Sequence, residues 1–441
     1  MPDLKQEVTD LLRRLIGCDT SNPPGNEAQA AAILEDYLMP AGLECTRIAM
    51  DPRRPNLVAR LRGRGTGPSL AFLGHLDVVQ ARREDWSVEP FAGVERDRAI
   101  WGRGAVDMKS QVAATAVALA TLAREGARPA GDLMLILTAD EEVGDSGVGA
   151  PHLIEALPDL RPDYVVGEGA GERIQTPDGP IYMLDHGVKA TASVTLTVRG
   201  RAADASLPGN GASAVFELAR LLGRLERYEP EPTVLPELEP LLDAVAGGEG
   251  SAAERVARAR ATHPALDRLV GALVANILPP TVVESRGPAN SVRERATATL
   301  QCSVLPRTTK QQLEAEVRRA LGDGDYGVEV DDPEGGLTSP LHTPLHAAIE
   351  RFLAAADPDA TLVPALGYGF SDCHFMRSAY DSVAYGFIPF RYGDPVQNLE
   401  TKHGVDERIL IDDLLFQAEC ALAVAREIGG LPVLAPALAA A

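Results

Sequence analysis

The chain has 441 residues, 45% hydrophobic and 24% charged, with a formal charge of -21 at pH 7. That length exceeds the usual single core and calls for two domains, while the acidic balance argues against nucleic acid or an anionic membrane as partner. No apolar run reaches the length of a membrane span. The N-terminal MPDLKQEVTDLLRRL is amphipathic and carries acids, unlike a leader. Five scattered cysteines (Cys18, Cys45, Cys302, Cys373, Cys420) suit reduced thiols and a cytoplasmic protein.

In chain order, residues 4–16 read as a helix. SNPPGNE at 21–27 is a loop, because Pro-Pro-Gly blocks regular structure, and a helix follows to about Met39. Asn56–Leu61 and Ser69–Gly74 read as strands, the second nearly all apolar, as a buried parallel strand is. Residues 85–101 read as a long polar loop. Met108–Arg124 is a helix, with Val112, Ala116, Leu119 and Leu122 near helical spacing and Gly126 beyond its end. Leu133–Thr138 and Tyr164–Val166 are further strands. This alternation predicts an α/β domain, a mostly parallel sheet with helices on both faces.

The pattern changes at Thr191–Arg199, where TASVTLTVR alternates with period two, as in a half-buried antiparallel strand. A helix over Ala212–Arg227, a stretch rich in Pro, Glu and Gly at 229–250 and helical residues at 252–276 follow. Then come strands Thr281–Glu284 and Arg295–Val304, a helix Lys310–Leu321 and a strand Gly327–Val330. Together these predict an α+β domain. The α/β character returns with helix His346–Ala355, strand Val383–Phe387 and helix Asp412–Ala425. The expected layout is a catalytic domain in two pieces, 1–190 and 335–441, with a lid domain inserted at 191–334. The alanine-rich C-terminus is the one biased tract.

Three pieces carry chemistry: GHLDVV with His75 and Asp77, GRGAVDMKS with Asp107, and ADEEVG with Glu141 and Glu142. Each follows an apolar strand or a glycine turn at one end of the predicted sheet, where parallel α/β sheets place ligands. Asp77 is spaced to hold the second ring nitrogen of a ligating His75. Charge balance extends the set. Three carboxylates and one bridging hydroxide cancel two divalent ions held with two neutral imidazoles. Glu168, in YVVGEGAG, supplies the third carboxylate beside Asp107 and Glu142, and His403, in KHGVDERI, the second imidazole. Glu141 stays free, since successive residues leaving a strand face different ways, and a free carboxylate beside a metal-bound water is a general base. Zinc favours such a site, and cobalt or manganese also fits.

With SNPPGNE, GHLDVV, GRGAVDMKS, ADEEVG, GEGAG, the segment from GRAADAS to GASAV, and HGVDERI in this order, the chain resembles the M20 family of co-catalytic zinc amidohydrolases and peptidases. In the inserted domain, NILPPTVVESRGPANSV most resembles the carboxypeptidase S and N-acyl-amino-acid hydrolase branch. The resemblance implies His75, Asp107 and Glu168 on one metal and Asp107, Glu142 and His403 on the other. Asp107 is then the bridge, Asp77 the supporting carboxylate, Glu141 the base, and the lid a dimerisation domain.

Three substrate-side positions depart from the family pattern. Asp204 stands where a lid histidine stabilises the oxyanion. Leu300-Gln301-Cys302-Ser303 replaces an Asp-x-Arg strand. His374, in Ser371-Asp372-Cys373-His374, replaces an arginine that holds a substrate carboxylate. Asn290 is retained as an oxyanion donor. Either Arg377 or His186 substitutes for the lost cation, or the substrate lacks a free carboxylate and carries an amine that pairs with Asp204. The expected activity is hydrolysis of an amide-type C–N bond in a peptide or N-acyl amine, by metal-bound hydroxide with Glu141 as base. The alternatives are a recruited N-acyl condensation or other biosynthetic step, and a catalytically weak metal-binding dimerisation protein. The basic pairs Arg53-Arg54 and Arg82-Arg83 read as solvated, and the SNPPGN loop, Trp86 and Trp101 as structural.

Overall fold

The computed structural model describes residues 3–144, 146–207 and 209–432, which leaves the alanine-rich C-terminus outside the described residues. Eight strands form the larger sheet, in the order Glu44–Ile48, Asn56–Leu61, Leu133–Thr138, Leu70–His75, Tyr164–Thr176, Val383–Phe390, Gly179–Val188, Thr361–Gly367. The four central strands, Leu133–Thr138 to Val383–Phe390, run parallel. Glu44–Ile48 and Asn56–Leu61 run antiparallel to each other, and Asn56–Leu61 antiparallel to Leu133–Thr138. So do Tyr164–Thr176 and Gly179–Val188, joined by a short turn. A turn that short permits only antiparallel pairing, while Thr361–Gly367 at the far edge lies parallel to Gly179–Val188, so the sheet is mixed.

Side-chain alternation along each strand feeds two cores. Leu133, Leu135 and Leu137 share one with helices Leu4–Ile16, Lys109–Arg124 and Ile411–Ile428. Met134 and Ile136 share the other with helices Ala150–Ala156 and Cys373–Tyr380. Residues 85–101 are less irregular than expected. Val94–Arg96 and Ala99–Trp101 pair, and Arg408–Leu410 joins them as a third strand. That small sheet brings the end of the chain against the segment leading to Asp107.

The smaller domain centres on Ala190–Arg199, flanked by Arg295–Val304 and Tyr326–Val330, both antiparallel to it. Its period-two pattern turns Val194, Leu196 and Val198 onto helices Ala214–Leu225 and Lys310–Leu321. Three other helices of the 191–334 interval pack elsewhere. Glu239–Ala246, Ala252–Thr262 and Pro264–Leu273 share a core with Ile181, Met183 and Ala365 of the larger sheet. Their apolar stripes show that they are helices but not which sheet they cover. Lys189, fully buried where the chain crosses between the sheets, ties this junction together: its Nζ donates to the carbonyls of Ala272 and Ala275 at 2.8 and 2.7 Å. Lys189→Met leaves both carbonyls unpaired, and the expected loss is about 1–3 kcal/mol of stability, read from the denaturant midpoint.

Candidate metal centre

The Asp107 turn is built on a carboxylate far away in the chain. Glu407, fully buried, accepts the backbone N–H groups of Gly104, Val106 and Asp107 at 2.9, 2.6 and 2.9 Å. It also accepts Arg103 at 2.6 Å, and the same guanidinium donates to the Gly404 carbonyl at 2.6 Å. The loops bearing Asp107 and His403 are thereby clamped together. Gly104 sits at φ +88, a left-handed conformation that a side chain resists.

His75 ends the strand Leu70–His75 and is 1% exposed. Its Nδ1 lies 2.9 Å from the main-chain carbonyl of Asp77, against 3.6 Å from the Asp77 carboxylate. The ring is therefore oriented by the backbone. The Asp77 carboxylate instead accepts the N–H groups of Glu141 and Glu142, each at 3.2 Å, and the Asn22 amide at 2.9 Å. It fixes the turn that aims both glutamates. Asp140, at φ +60, is pinned in the same turn by Asn22, Arg54 and Ser146. Arg54 is 7% exposed and also pairs with Glu27 at 2.7 Å, which corrects the reading of Arg53-Arg54 as a solvated pair. Only Arg53 is exposed. Trp86 and Trp101 are buried together in a small core of their own, as structural residues are.

These supports gather the expected ligands. His75 Nε2 lies 3.1 Å from Asp107 Oδ1, 3.9 Å from Glu168 and 4.0 Å from Glu141. His403 Nε2 lies 3.1 Å from Asp107 Oδ2 and 2.9 Å from Glu142. Glu168 is inside the strand Tyr164–Thr176, which continues past the Tyr164–Val166 piece read from the sequence. Ligand atoms of His75, Asp107 and Glu142 fall within 4.8 Å of one another, as do those of His75, Glu141 and Glu168. Donors bound to tetrahedral zinc lie about 3.3 Å apart, so this set fits divalent ions. Glu142 Oε1, buried with no protein partner among the described residues, is one donor left over.

The cluster draws positive charge strongly. Burial disfavours a charged His403, yet the Asp107 and Glu142 carboxylates outweigh it and hold the imidazole up at about 10. Burial, with Glu168 beside it, pushes the Glu141 carboxyl well above the usual range. Burial also pushes Asp372 up to about 7, against the hydrogen bond it accepts from Thr138.

The cluster opens into a cavity of about 730 Å³ walled by both domains, with Ser193, Gln301 and Ser303 from the smaller sheet and Tyr368, Phe370 and Phe375 from the larger domain. The expected substrate residues are not brought into it. Asp204 is exposed on a two-stranded ribbon and Asn290 in the turn before its second strand, and Asp204 Oδ1 accepts from Ser206. His374 is 8% exposed and packs against the rings of Phe370 and Phe375. Arg377 is buried, donating to Ser339 and the Ala384 carbonyl, and His186 is buried against Ser339. Neither lines the cavity.

Sequence reasoning passed over Glu407, Asn22 and Lys402. All three sit inside quoted motifs, KHGVDERI and SNPPGN, and acid, amide or amine types in such loops were the available signal. Lys402 immediately precedes His403, and its Nζ lies 3.2 Å from Asp107 Oδ2. Glu407→Ala strands the buried Arg103 charge and three N–H groups, and the expected cost is about 3–5 kcal/mol in equilibrium unfolding.

Known proteins resemble this chain in sequence and in fold. A profile of Peptidase family M20/M25/M40 matches residues 71–427. The chain is 26% identical over 412 residues to a succinyl-diaminopimelate desuccinylase of Cereibacter sphaeroides, covering 91% of this chain and 93% of that one. It is 34% identical over 251 residues to one from Delftia acidovorans, a match spanning 55% of this chain and 63% of the relative, less than two thirds of it. In fold it resembles an M20 family metallo-carboxypeptidase of Sulfolobus solfataricus (TM-score 0.70, 16% identity, 98% of this chain and all of the other). It also resembles human carnosine dipeptidase 1 (TM-score 0.69, 17% identity, 97% of each chain). With its profile match running across most of the chain and over His75, Asp107, Glu142, Glu168 and His403, this hydrolytic enzyme belongs to peptidase family M20/M25/M40.

Proposed function

We propose that the cluster holds two divalent ions, zinc before cobalt or manganese, and that the enzyme hydrolyses an amide-type C–N bond in a small N-acyl amine or short peptide. His75, Asp107 and Glu168 hold one ion, and Asp107, Glu142 and His403 the other. The observation that carries this is Asp107: its two oxygens face different imidazoles, each at 3.1 Å. When bound, the ions would polarise the scissile carbonyl and acidify a water. Glu141 takes that water's proton and passes it to the leaving nitrogen. A carboxyl whose proton affinity is raised by burial and by Glu168 suits both halves of that transfer. Asp77 keeps Glu141 in place through its backbone N–H.

The desuccinylase relatives support a small acylated amine as substrate. Asp204 lies outside the lining of the cavity, so the cavity itself adds no support to its salt bridge with a substrate amine. The lid strand Pro280–Glu284 is exposed along its length, which supports a homodimer formed through the smaller domain. The five free cysteines support a reducing compartment such as the cytoplasm.

Two results test this reading. Glu141→Gln is expected to lower kcat on N-acyl amine substrates by about 10²–10⁴ with unchanged metal content; undiminished turnover removes Glu141 as base. His403, protonated at neutral pH in the cluster by its pKa near 10, must release that proton to bind an ion. Calorimetry in buffers of different ionisation enthalpy is therefore expected to show proton release on zinc binding at pH 7, with affinity falling as pH falls. Proton uptake contradicts the ligand assignment.

A further inference from the structure

We propose that Asp185 is the positioning residue of Glu168: it fixes the bulge from which that glutamate reaches the cluster, as Asp77 and Glu407 fix the turns of the other carboxylates. This rests on the two-ion reading above, in which Glu168 holds one ion. Strand Tyr164–Thr176 runs parallel to Val383–Phe390 in unbroken register from Tyr164 opposite Val383 to Gly167 opposite Gly386. The next pair is Ala170 opposite Phe387, so Glu168 and Gly169 have no partner on that strand. Extra residues on one strand bend it and re-aim a side chain, and such bulges gather next to active sites. Here the re-aimed side chain is Glu168, which ends 3.9 Å from His75 Nε2.

An unpaired bulge needs a support other than the ladder. Asp185 Oδ2 accepts the N–H of Ala170, the residue after the two extra ones, at 2.9 Å. Asp185 comes from the strand Gly179–Val188, where it lies opposite Gly386. The three segments meet closely. A Cβ on Gly386 would lie 2.4 Å from the Glu168 carbonyl oxygen and 3.2 Å from Asp185 Cβ, and a Cβ on Gly169 would lie 2.8 Å from Asp185 Oδ2. The two glycines let the carboxylate reach the bulge, and neither place takes a side chain without a shift.

Asp185 is 4% exposed, and its Oδ1 has no hydrogen-bond partner among the described residues. A carboxyl buried with so few partners costs stability. An apolar side chain would fill the place at less cost, but it would leave the Ala170 N–H loose and Glu168 free to swing. What Asp185 supplies is an acceptor at Oδ2, and a neutral acceptor in that place serves as well as a charged one.

The test is a calorimetric zinc titration of the chelator-stripped full-length protein, wild type against Asp185→Ala, Asp185→Asn and Gly386→Ala, with melting temperatures of the stripped forms and hydrogen exchange at the Ala170 amide. Wild type is expected to take two ions, with that amide protected. Asp185→Ala is expected to lose the protection and to weaken one of the two steps about 10–100-fold, while shifting the other less than about threefold. Asp185→Asn keeps the acceptor, and is expected to keep the protection and both constants within about threefold of wild type. Gly386→Ala displaces the bulge with Asp185 intact, and is expected to weaken the same step as Asp185→Ala. A merely structural role lowers melting temperatures and leaves both constants within about threefold, and that result for Asp185→Ala overturns the proposal. Weakening of both steps alike, or a loss in Asp185→Asn equal to that in Asp185→Ala, also overturns it, because the charge and not the hydrogen bond is then the cause. No zinc binding by wild type overturns the two-ion reading with it.

Discussion

Carboxylates crowded around one imidazole repel one another, and every support of this site answers that repulsion. Asp107, Glu141 and Glu168 all lie within 4.0 Å of the His75 ring nitrogen. Side chains alone do not hold like charges at such range. The protein fixes the backbone beneath them instead, with acids that accept main-chain N–H groups. Glu407 holds the Asp107 turn, Asp77 holds the Glu141–Glu142 turn, and Asp140 is locked to Asn22 and Arg54. A second layer of carboxylates thus positions the first, and the geometry is set before any ion arrives.

The part of this plan legible in the sequence is the part written locally. His75 and the Glu141–Glu142 pair follow apolar runs that can only be buried strands, so their placement at one sheet end follows from pattern and topology. The lid strand Ala190–Arg199 shows itself by strict alternation. Other elements leave no such mark. Glu44–Ile48 is largely exposed and has no apolar face to read, and Gly179–Val188 begins on Gly-Pro, which reads as a turn. Pairings across the chain leave no mark either: Arg103 and Glu407 are 304 positions apart. Arg54 reads as half of a surface pair because burial of one arginine beside an exposed one is decided by Glu27 and Asp140, not by its neighbours in sequence.

On the substrate side, motif position and spatial position part company. Asp204, Asn290 and His374 occupy places that a motif comparison marks as substrate contacts, yet none lines the cavity. Its wall on the lid side is made by Gln301 and Ser303, and Ser303 donates to the Tyr368 carbonyl across the two domains at 2.7 Å. The cavity presents Tyr368, Phe370 and Phe375 beside the acids Asp331, Asp332 and Glu334.

His403 comes near the end of the chain, while His75, Asp107, Glu142 and Glu168 all precede the lid. A ribosome therefore finishes the acidic half of the centre long before it makes the imidazole and the Glu407 clamp that complete it. The growing chain carries these acids without the later imidazole throughout synthesis of the lid, and the proposed two-ion site is complete only once His403 is in place. Loss of the C-terminal segment thus removes one imidazole of the proposed centre and the Glu407 clamp, even where the lid folds normally.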